Sequence, residues 1–170
     1  MIEIPPSVDF CISRGRIDWK DVVWAVEKGV FGWRDVQAFA VANLNDELST
    51  TFELDLQIAS LTKNEASQIL TLAQEAAELI TSDLSFVPER WRVLLLTWVY
   101  ERRELFKSPL TVVEELYAEF GYPRDMESFI AFLPPSDGWD PSIHTTAENE
   151  RRLMLKWHAF LRARGQVSNL

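Results

Sequence analysis

The chain has 170 residues, of which 47% are hydrophobic and 25% are charged, and its formal net charge at pH 7 is −9. A chain of this size and apolar content can bury a core, so a disordered or fibrous protein is excluded. The negative charge argues against a protein whose main task is to bind nucleic-acid phosphates, because such proteins present basic surfaces.

Helix signals begin near the N-terminus. Asp18 precedes an apolar series and Gly29 follows it, which is the pattern of an N-cap and a glycine stop. A second helix is predicted from Arg34 to Asn43. At residues 51–56, polar and apolar residues alternate as they do in a strand, but this short stretch does not outweigh the helical signals around it.

Helix signals continue to the C-terminus. Thr62 with Glu65, and Thr145 with Glu148, match the capping box that opens a helix. Pro88 stands at a first-turn position of a helix with a broad apolar face, which we expect to be the innermost helix. The predicted helices, caps included, cover residues 18–29, 34–43, 62–80, 88–106, 109–120, 123–132 and 145–165. The sequence therefore predicts an all-α, single-domain bundle of about seven helices over residues 1–170.

Short motifs recur in a characteristic order along these helices. They include IDWKDV at 17–22, LTKNE at 61–65, WVYE at 98–101, VEELYAEF at 113–120, FLPP at 132–135 and Asp140-Pro141. Together they resemble the bacterial family called domain of unknown function 2247, over residues 7–162. Small bacterial families of this kind are similar in size and acidity to immunity proteins of polymorphic toxin systems. The resemblance implies no activity and assigns no catalytic residue.

Signals for targeting and for cofactors are weak. Cys11 is the single cysteine and the chain has two histidines, which leaves no internal disulfide and no His/Cys-rich zinc cluster. The first residues lack the basic and apolar regions of a signal peptide, and the longest apolar stretch, at 93–100, is too short to cross a membrane. We expect a cytoplasmic protein with no metal and no cofactor.

Residues 134–146 form the one long turn-rich segment, and Asp137, Asp140 and His144 within it are the main candidates for metal ligands. Asp-Gly and Asp-Pro steps are typical turn chemistry, so we expect these side chains to serve the loop. Cys11 lies among apolar neighbours in the sequence, and such surroundings raise the pKa of a thiol and make it less reactive. No spacing supports a catalytic dyad of Cys11 with His144 or His158.

Paired carboxylates are present but do not indicate catalysis. General acid–base work needs one carboxyl whose pKa is raised by burial beside another that stays ionised. Pairs such as Glu75 and Glu78 lie on a polar helix face, where both carboxyls are solvated. The prediction is that the protein is not an enzyme.

The acidity is concentrated in one part of the chain. Residues 44–83 hold eight carboxylates and one lysine, a net charge of −7, whereas residues 86–170 carry a net charge of −1. Such a segment is a solvated face that keeps the protein soluble, or a docking surface for a basic partner. As docking charges we predict Glu47, Glu53, Asp55, Glu65, Glu75 and Glu78. The competing interpretation is that these carboxylates pair with the basic C-terminal helix of the same chain.

The tryptophans separate into two groups. Trp19, Trp24, Trp91, Trp98 and Trp157 stand at positions on helix faces and are predicted to be core. Trp139 lies in the turn-rich segment, where it either plugs the loop onto the core or serves as an exposed anchor for a partner.

These observations favour a cytoplasmic protein-binding module, namely an immunity protein that neutralises a basic toxin domain, for example a nuclease. We expect a protein partner and neither nucleic acid nor membrane. The alternatives are a helical adaptor or regulatory protein without a toxin, and an uncharacterised enzyme.

Overall fold

A computed structural model describes residues 2–15 and 17–167 of the chain, and these residues form helices, turns and loops with no strand among them. The α-helices are α1 (Val8–Arg14), α2 (Trp19–Glu27), α3 (Trp33–Asn43), α4 (Phe52–Ser60), α5 (Ile69–Glu78), α6 (Val87–Glu101), α7 (Pro109–Glu119) and α8 (Thr146–Ala163). Five 3-10 helices lie between them, at Lys63–Gln68, Leu84–Phe86, Arg103–Leu105, Arg124–Phe129 and Pro141–Ile143. The prediction of an all-α protein is confirmed.

The number of helices differs from the prediction of about seven, because the described residues contain eight α-helices. Residues 8–14 and 52–60 lie outside the predicted helices, but they form α1 and α4. The segment at 123–132 forms only a 3-10 helix, Arg124–Phe129. The capping box of Thr62 and Glu65 is present, but the helix that it opens begins as the 3-10 helix Lys63–Gln68 before α5.

Local side-chain caps explain where several helices begin. The Asp18 carboxylate accepts the backbone N–H of Lys20 at 2.9 Å, and the Asp21 carboxylate accepts the backbone N–H of Asp18 at 2.9 Å. Thr145 and Glu148 cap α8 in the same reciprocal way. These bonds satisfy amide groups that the first turn of a helix leaves without partners.

The chain divides into two compact units, which we call the N-terminal unit (residues 3–91) and the C-terminal unit (residues 92–167). The division falls within α6. The prediction that residues 1–170 form a single domain stays a prediction.

Aromatic side chains fill the core of the N-terminal unit, where α2 packs against α5 and α3 packs against α4. Trp19 and Trp91 are fully buried. Trp19 meets Phe39 edge-on at 4.9 Å between ring centroids, and Trp91 lies 5.6 Å from Trp24 in a stacked arrangement. Trp24 itself is only partly buried. These contacts join α2 to α3 and to the first part of α6.

The core of the C-terminal unit is built around α8, which packs on the 3-10 helix Arg124–Phe129. Trp157 is fully buried and meets Tyr100 edge-on at 5.1 Å, and Phe160 lies 5.1 Å from Phe129. Trp98, predicted as core, is half-buried.

Along the chain that the structure describes, no helix combines the length and the apolar character needed to cross a bilayer.

Candidate functional site: an acidic surface

The carboxylates predicted for docking lie on several elements of the N-terminal unit. Glu53 lies on α4 and Glu65 on the 3-10 helix that precedes α5. Glu75 and Glu78 lie on α5 at a spacing of three residues, so they project from the same face of that helix. Glu47 lies in the turn between α3 and α4. All five side chains are exposed, and we call them the acidic surface.

Most of the acidic surface lacks a counter-charge. Among the residues that the structure describes, no basic group lies within salt-bridge distance of Glu47, Glu53, Glu75 or Glu78. Glu65 differs because its Oε2 accepts hydrogen bonds from the Thr62 hydroxyl at 2.7 Å and the Thr62 amide at 3.0 Å. These bonds lower the pKa of Glu65. Four carboxylates are therefore free to meet a partner, whereas Glu65 serves as a helix cap.

Asp55 is not part of this surface, and its prediction as a docking charge is corrected. Its side chain is fully buried. The carboxylate accepts hydrogen bonds from Trp19 Nε1 at 2.9 Å and from the Thr51 hydroxyl at 2.8 Å, and Asn43 Nδ2 lies at 3.4 Å. Burial raises the pKa of Asp55, and these hydrogen bonds act in the opposite direction. Asp55 ties α4 to α2 and α3, which is a structural task.

An exposed apolar group lies next to the acidic surface in the sequence. Leu79 follows α5, and Leu84 and Phe86 belong to the 3-10 helix Leu84–Phe86. Their exposed fractions are 49%, 63% and 60%. Glu75 and Glu78 immediately precede this stretch. Exposed apolar patches with a polar rim mark protein-interaction sites, so these three residues are candidates for contact with a partner.

Comparison with known proteins identifies the family. A family model described as an uncharacterized protein conserved in bacteria, DUF2247, matches residues 8–165. The chain belongs to the DUF2247 family. No curated protein and no solved structure matches it.

In this DUF2247 chain Trp139 is held by its own loop and by α8. Its Nε1 donates to Asn149 Oδ1 at 2.8 Å, and its ring stacks on His144 with centroids 3.7 Å apart. The side chain is half-buried. This arrangement fastens the loop onto α8, which is the first of the two roles predicted for Trp139.

Two of the three metal candidates of the loop, Asp137 and Asp140, accept hydrogen bonds from backbone amides of its turns. Asp140 caps its own turn by accepting the Ser142 amide at 2.9 Å, and Asp137 accepts the Trp139 amide at 3.4 Å. Asp137 also binds Arg152 at 2.6 Å and Lys156 at 2.7 Å. Within the described part of the chain, no group of three His, Cys, Asp or Glu side chains is placed to hold a metal ion.

Arg152 and Lys156 of α8, and Arg164 at its C-cap, form salt bridges with carboxylates within the C-terminal unit. Arg152 and Lys156 share Asp137, and Arg164 binds Asp125 at 2.6 Å. Bonds from Lys156 and Arg152 hold the pKa of Asp137 well below its usual range. The salt bridges of these three cations are therefore made with Asp125 and Asp137 and not with the acidic surface.

Cys11 is unsuited to nucleophilic chemistry. The thiol is fully buried in the N-terminal unit, and this burial raises its pKa to about 12, with Asp35 and Asp21 acting in the same direction. A thiol with this pKa stays protonated at neutral pH, and the thiolate is the reactive form.

Sequence reasoning missed Leu79, Leu84 and Phe86 as candidate contact residues. A weak signal exists, because Leu84 and Phe86 lie between the predicted helices 62–80 and 88–106, where no helical stripe explains them. Apolar residues in a short connection are nevertheless usually buried, so only the structure shows their exposure.

Proposed function

We propose that this DUF2247 protein is a cytoplasmic immunity protein, which binds a basic bacterial toxin domain and blocks it without catalysing a reaction. The observation that carries the proposal is the set of exposed carboxylates Glu47, Glu53, Glu75 and Glu78, which have no counter-charge among the described residues. They belong to a segment with a net charge of −7.

Charge of this kind suits an inhibitor of a basic enzyme. Nucleases that act as toxins hold phosphates and are basic for that reason. Opposite charges on the two partners steer their encounter and raise the association rate, and they disfavour partners of the wrong sign. The alternative is that these charges only keep the protein in solution. In that case the same carboxylates are present, but they bind no particular partner.

An inhibitor must also dissociate slowly from its toxin, and the exposed apolar residues can provide the contact that slows dissociation. Rim charges act mainly on association, whereas buried anchors act mainly on dissociation. Leu84 and Phe86 are free to become buried on binding, since 63% and 60% of their surface is exposed. Trp139 already stacks on His144 and has a hydrogen-bonded Nε1, so we assign the apolar contact to Leu84 and Phe86 instead.

Coexpression tests this proposal. An immunity gene lies directly downstream of the gene for its toxin, so the product of the open reading frame immediately upstream is expressed in cells with and without this chain. We expect the upstream product to stop growth and this chain to restore it. An upstream product that is harmless, or toxic but not neutralised, contradicts the proposal and favours an adaptor without a toxin.

A matched pair of variants locates the contact. Leu84→Asp with Phe86→Asp should abolish the rescue of growth, because a carboxylate in a buried interface is strongly unfavourable. Leu155→Asp, at a residue of α8 with 52% of its surface exposed, is the control and should leave the rescue intact. Equal rescue by both proteins would remove the apolar contact from the proposal.

A further inference from the structure

A groove of about 640 Å³ lies in the C-terminal unit. Its walls come from the start of α7, the segment that follows the 3-10 helix Arg124–Phe129, the turn-rich loop and the first half of α8. Its volume is typical of sites that bind small molecules. All of its lining residues belong to the C-terminal unit, whereas the acidic surface belongs to the N-terminal unit.

One part of the groove is apolar. Leu110 from α7, Ile130 and Leu133 from the segment after Arg124–Phe129, and Leu153 from α8 contribute to it, together with Trp139. Ile130 and Leu153 are otherwise buried in the core of the unit, so this wall is fixed in position. A hydrocarbon or aromatic stem that lies on this wall is removed from water.

The loop that closes the groove is fastened before any ligand arrives. Asn149 accepts the Trp139 Nε1–H and donates to the carbonyl of Pro141 at 3.0 Å. Asp137, two residues before Trp139, is bound by both Arg152 and Lys156. A preformed site of this kind does not lose affinity to the ordering of its own loop.

The charges on the groove favour a cation. Glu114, Glu127 and Glu150 line it, and no described cation lies within salt-bridge distance of them. Arg152 and Lys156 also line it, but they share Asp137. Three glutamates and Asp137 against two cations leave a net charge of −2.

The N-terminus of α8 does not offset this charge. Glu148 Oε2 accepts the amide of Thr145 at 2.8 Å and its hydroxyl at 2.9 Å, and the Glu148 amide donates back to the Thr145 hydroxyl. The capping box thereby brings a further carboxylate to the end of the helix where an anion would bind.

We propose that this groove binds a small organic cation, an ammonium or guanidinium group carried on an apolar stem. The stem lies against the leucines, Ile130 and Trp139, and the cation meets Glu114, Glu127 and Glu150. A carboxylate on the same stem is repelled, and a neutral hydroxyl retains only the apolar contact.

Three probes that differ in one group test the charge requirement. The ¹⁵N-labelled full chain is titrated with 4-phenylbutylamine, 4-phenylbutanol and 4-phenylbutanoate, and the indole N–H signal of Trp139 is followed by NMR. That signal is assigned by its loss in Trp139→Phe. We expect the amine to bind at least about fivefold more tightly than the alcohol, in the range of a partly exposed ion pair, and the carboxylate to bind most weakly.

Variants then locate the site. Glu127→Gln and Glu150→Gln should each weaken the amine about two- to fivefold and leave the alcohol unchanged. Glu115→Gln is the control, because Glu115 is exposed beside Glu114 and does not line the groove. Equal weakening by all three variants would indicate a general effect of net charge and would overturn the assignment.

Other outcomes also overturn the proposal. Equal binding of the amine and the alcohol would show that the groove does not select a cation. Tighter binding of the carboxylate would show that the groove selects an anion instead. No change of the Trp139 signal with any probe would remove the site. Tighter binding of a short lysine-containing peptide than of the amine would assign the groove to a protein partner.

Discussion

The two units differ in where they place the aspartates that hold the fold together. The N-terminal unit buries Asp21 and Asp55 completely, and no described cation lies within salt-bridge distance of its exposed residues Glu47, Glu53, Glu75 and Glu78. The C-terminal unit keeps Asp125 and Asp137 at the surface and gives each of them two cations. Arg92 donates hydrogen bonds from its two terminal guanidinium nitrogens to the two carboxylate oxygens of Asp125, at 2.8 and 2.9 Å.

This difference indicates which carboxylates are available for contact with a partner. In the C-terminal unit the surface aspartates are already neutralised by their neighbours, so they hold the fold together. In the N-terminal unit the buried Asp21 and Asp55 hold the fold, and the exposed Glu47, Glu53, Glu75 and Glu78 remain available. The net charge of a segment therefore does not tell which of its carboxylates are free, because Asp55 belongs to the acidic segment and is inaccessible.

The largest expected effect concerns whether the two units unfold together. Ile58→Ala in the N-terminal unit and Leu95→Ala in the C-terminal unit should each lower the free energy of unfolding by about 2–5 kcal/mol, because both side chains are fully buried. If residues 1–170 form a single domain, urea denaturation shows one transition, which both variants shift. Leu56→Ala, at a half-exposed position, should change the free energy by less than about 0.5 kcal/mol.

Two separate transitions, with each variant shifting only one of them, would contradict the single-domain prediction.

A matched pair on α4 separates the structural carboxylate from a free one. Asp55→Ala removes the acceptor of Trp19 Nε1 and of the Thr51 hydroxyl and leaves both buried donors without it, so we expect a loss of about 3 kcal/mol. Glu53→Ala, at an exposed position on the same helix, should change stability by less than about 0.5 kcal/mol. The measurement is urea denaturation followed by circular dichroism. Equal losses in the two variants would contradict the distinction between buried and available carboxylates.

Asp21 should give the N-terminal unit a characteristic pH dependence. Burial raises its pKa from 3.8 to about 6, against the opposing effects of the Asp18 amide and of Arg90, whose Nε lies 3.1 Å from the carboxylate. Between pH 4 and 6 the folded chain then binds more protons than the unfolded chain, so stability from this group is full below about pH 4 and is lost as the pH rises through 6.

The size of this loss is about 3 kcal/mol, because the pKa rises from 3.8 to about 6 and a rise of one in pKa corresponds to about 1.4 kcal/mol. Asp21→Asn should flatten this part of the stability profile, and urea denaturation at a series of pH values measures it. The raised pKa of Asp55 acts in the same direction, so a smaller slope should remain in the variant. A profile that is unchanged by Asp21→Asn would show that burial of Asp21 does not set the slope.

Much of the fold follows from local sequence rules. Asp18 with Asp21, and Thr145 with Glu148, are short-range patterns that act as predicted, and each marks a real helix start. Helix α4 was missed because its inward positions include Asp55, and a buried carboxylate breaks the apolar stripe that identifies a helix. Helix α1 is too short to show a stripe, since its buried residues are only Val8 and Cys11.

The site was less predictable than the fold, because exposure and pairing depend on residues far apart in the chain. The sequence indicates that residues 44–83 are acidic, but the bond between Trp19 and Asp55 spans 36 positions. Similarly, no pattern in the sequence predicts the hydrogen bond between Trp139 and Asn149. No pattern predicts that Phe86 is exposed whereas Phe129 is buried. Local patterns therefore predicted the acidic region, but they did not separate Asp55, which is buried, and Glu65, which caps a helix, from its other carboxylates.

The central claim is that Glu75 and Glu78 steer a basic toxin domain to the acidic surface. The most direct test measures the association rate of the upstream gene product with Glu75→Lys/Glu78→Lys at two salt concentrations. Glu65 is left unchanged because it caps a helix. The control is Glu104→Lys/Glu115→Lys, which alters the net charge equally at exposed residues of the C-terminal unit. We expect the association rate of the Glu75→Lys/Glu78→Lys variant to be about tenfold lower at low salt and to depend less on salt, and we expect a much smaller change for the control. Equal association rates for the two variants at both salt concentrations would contradict it.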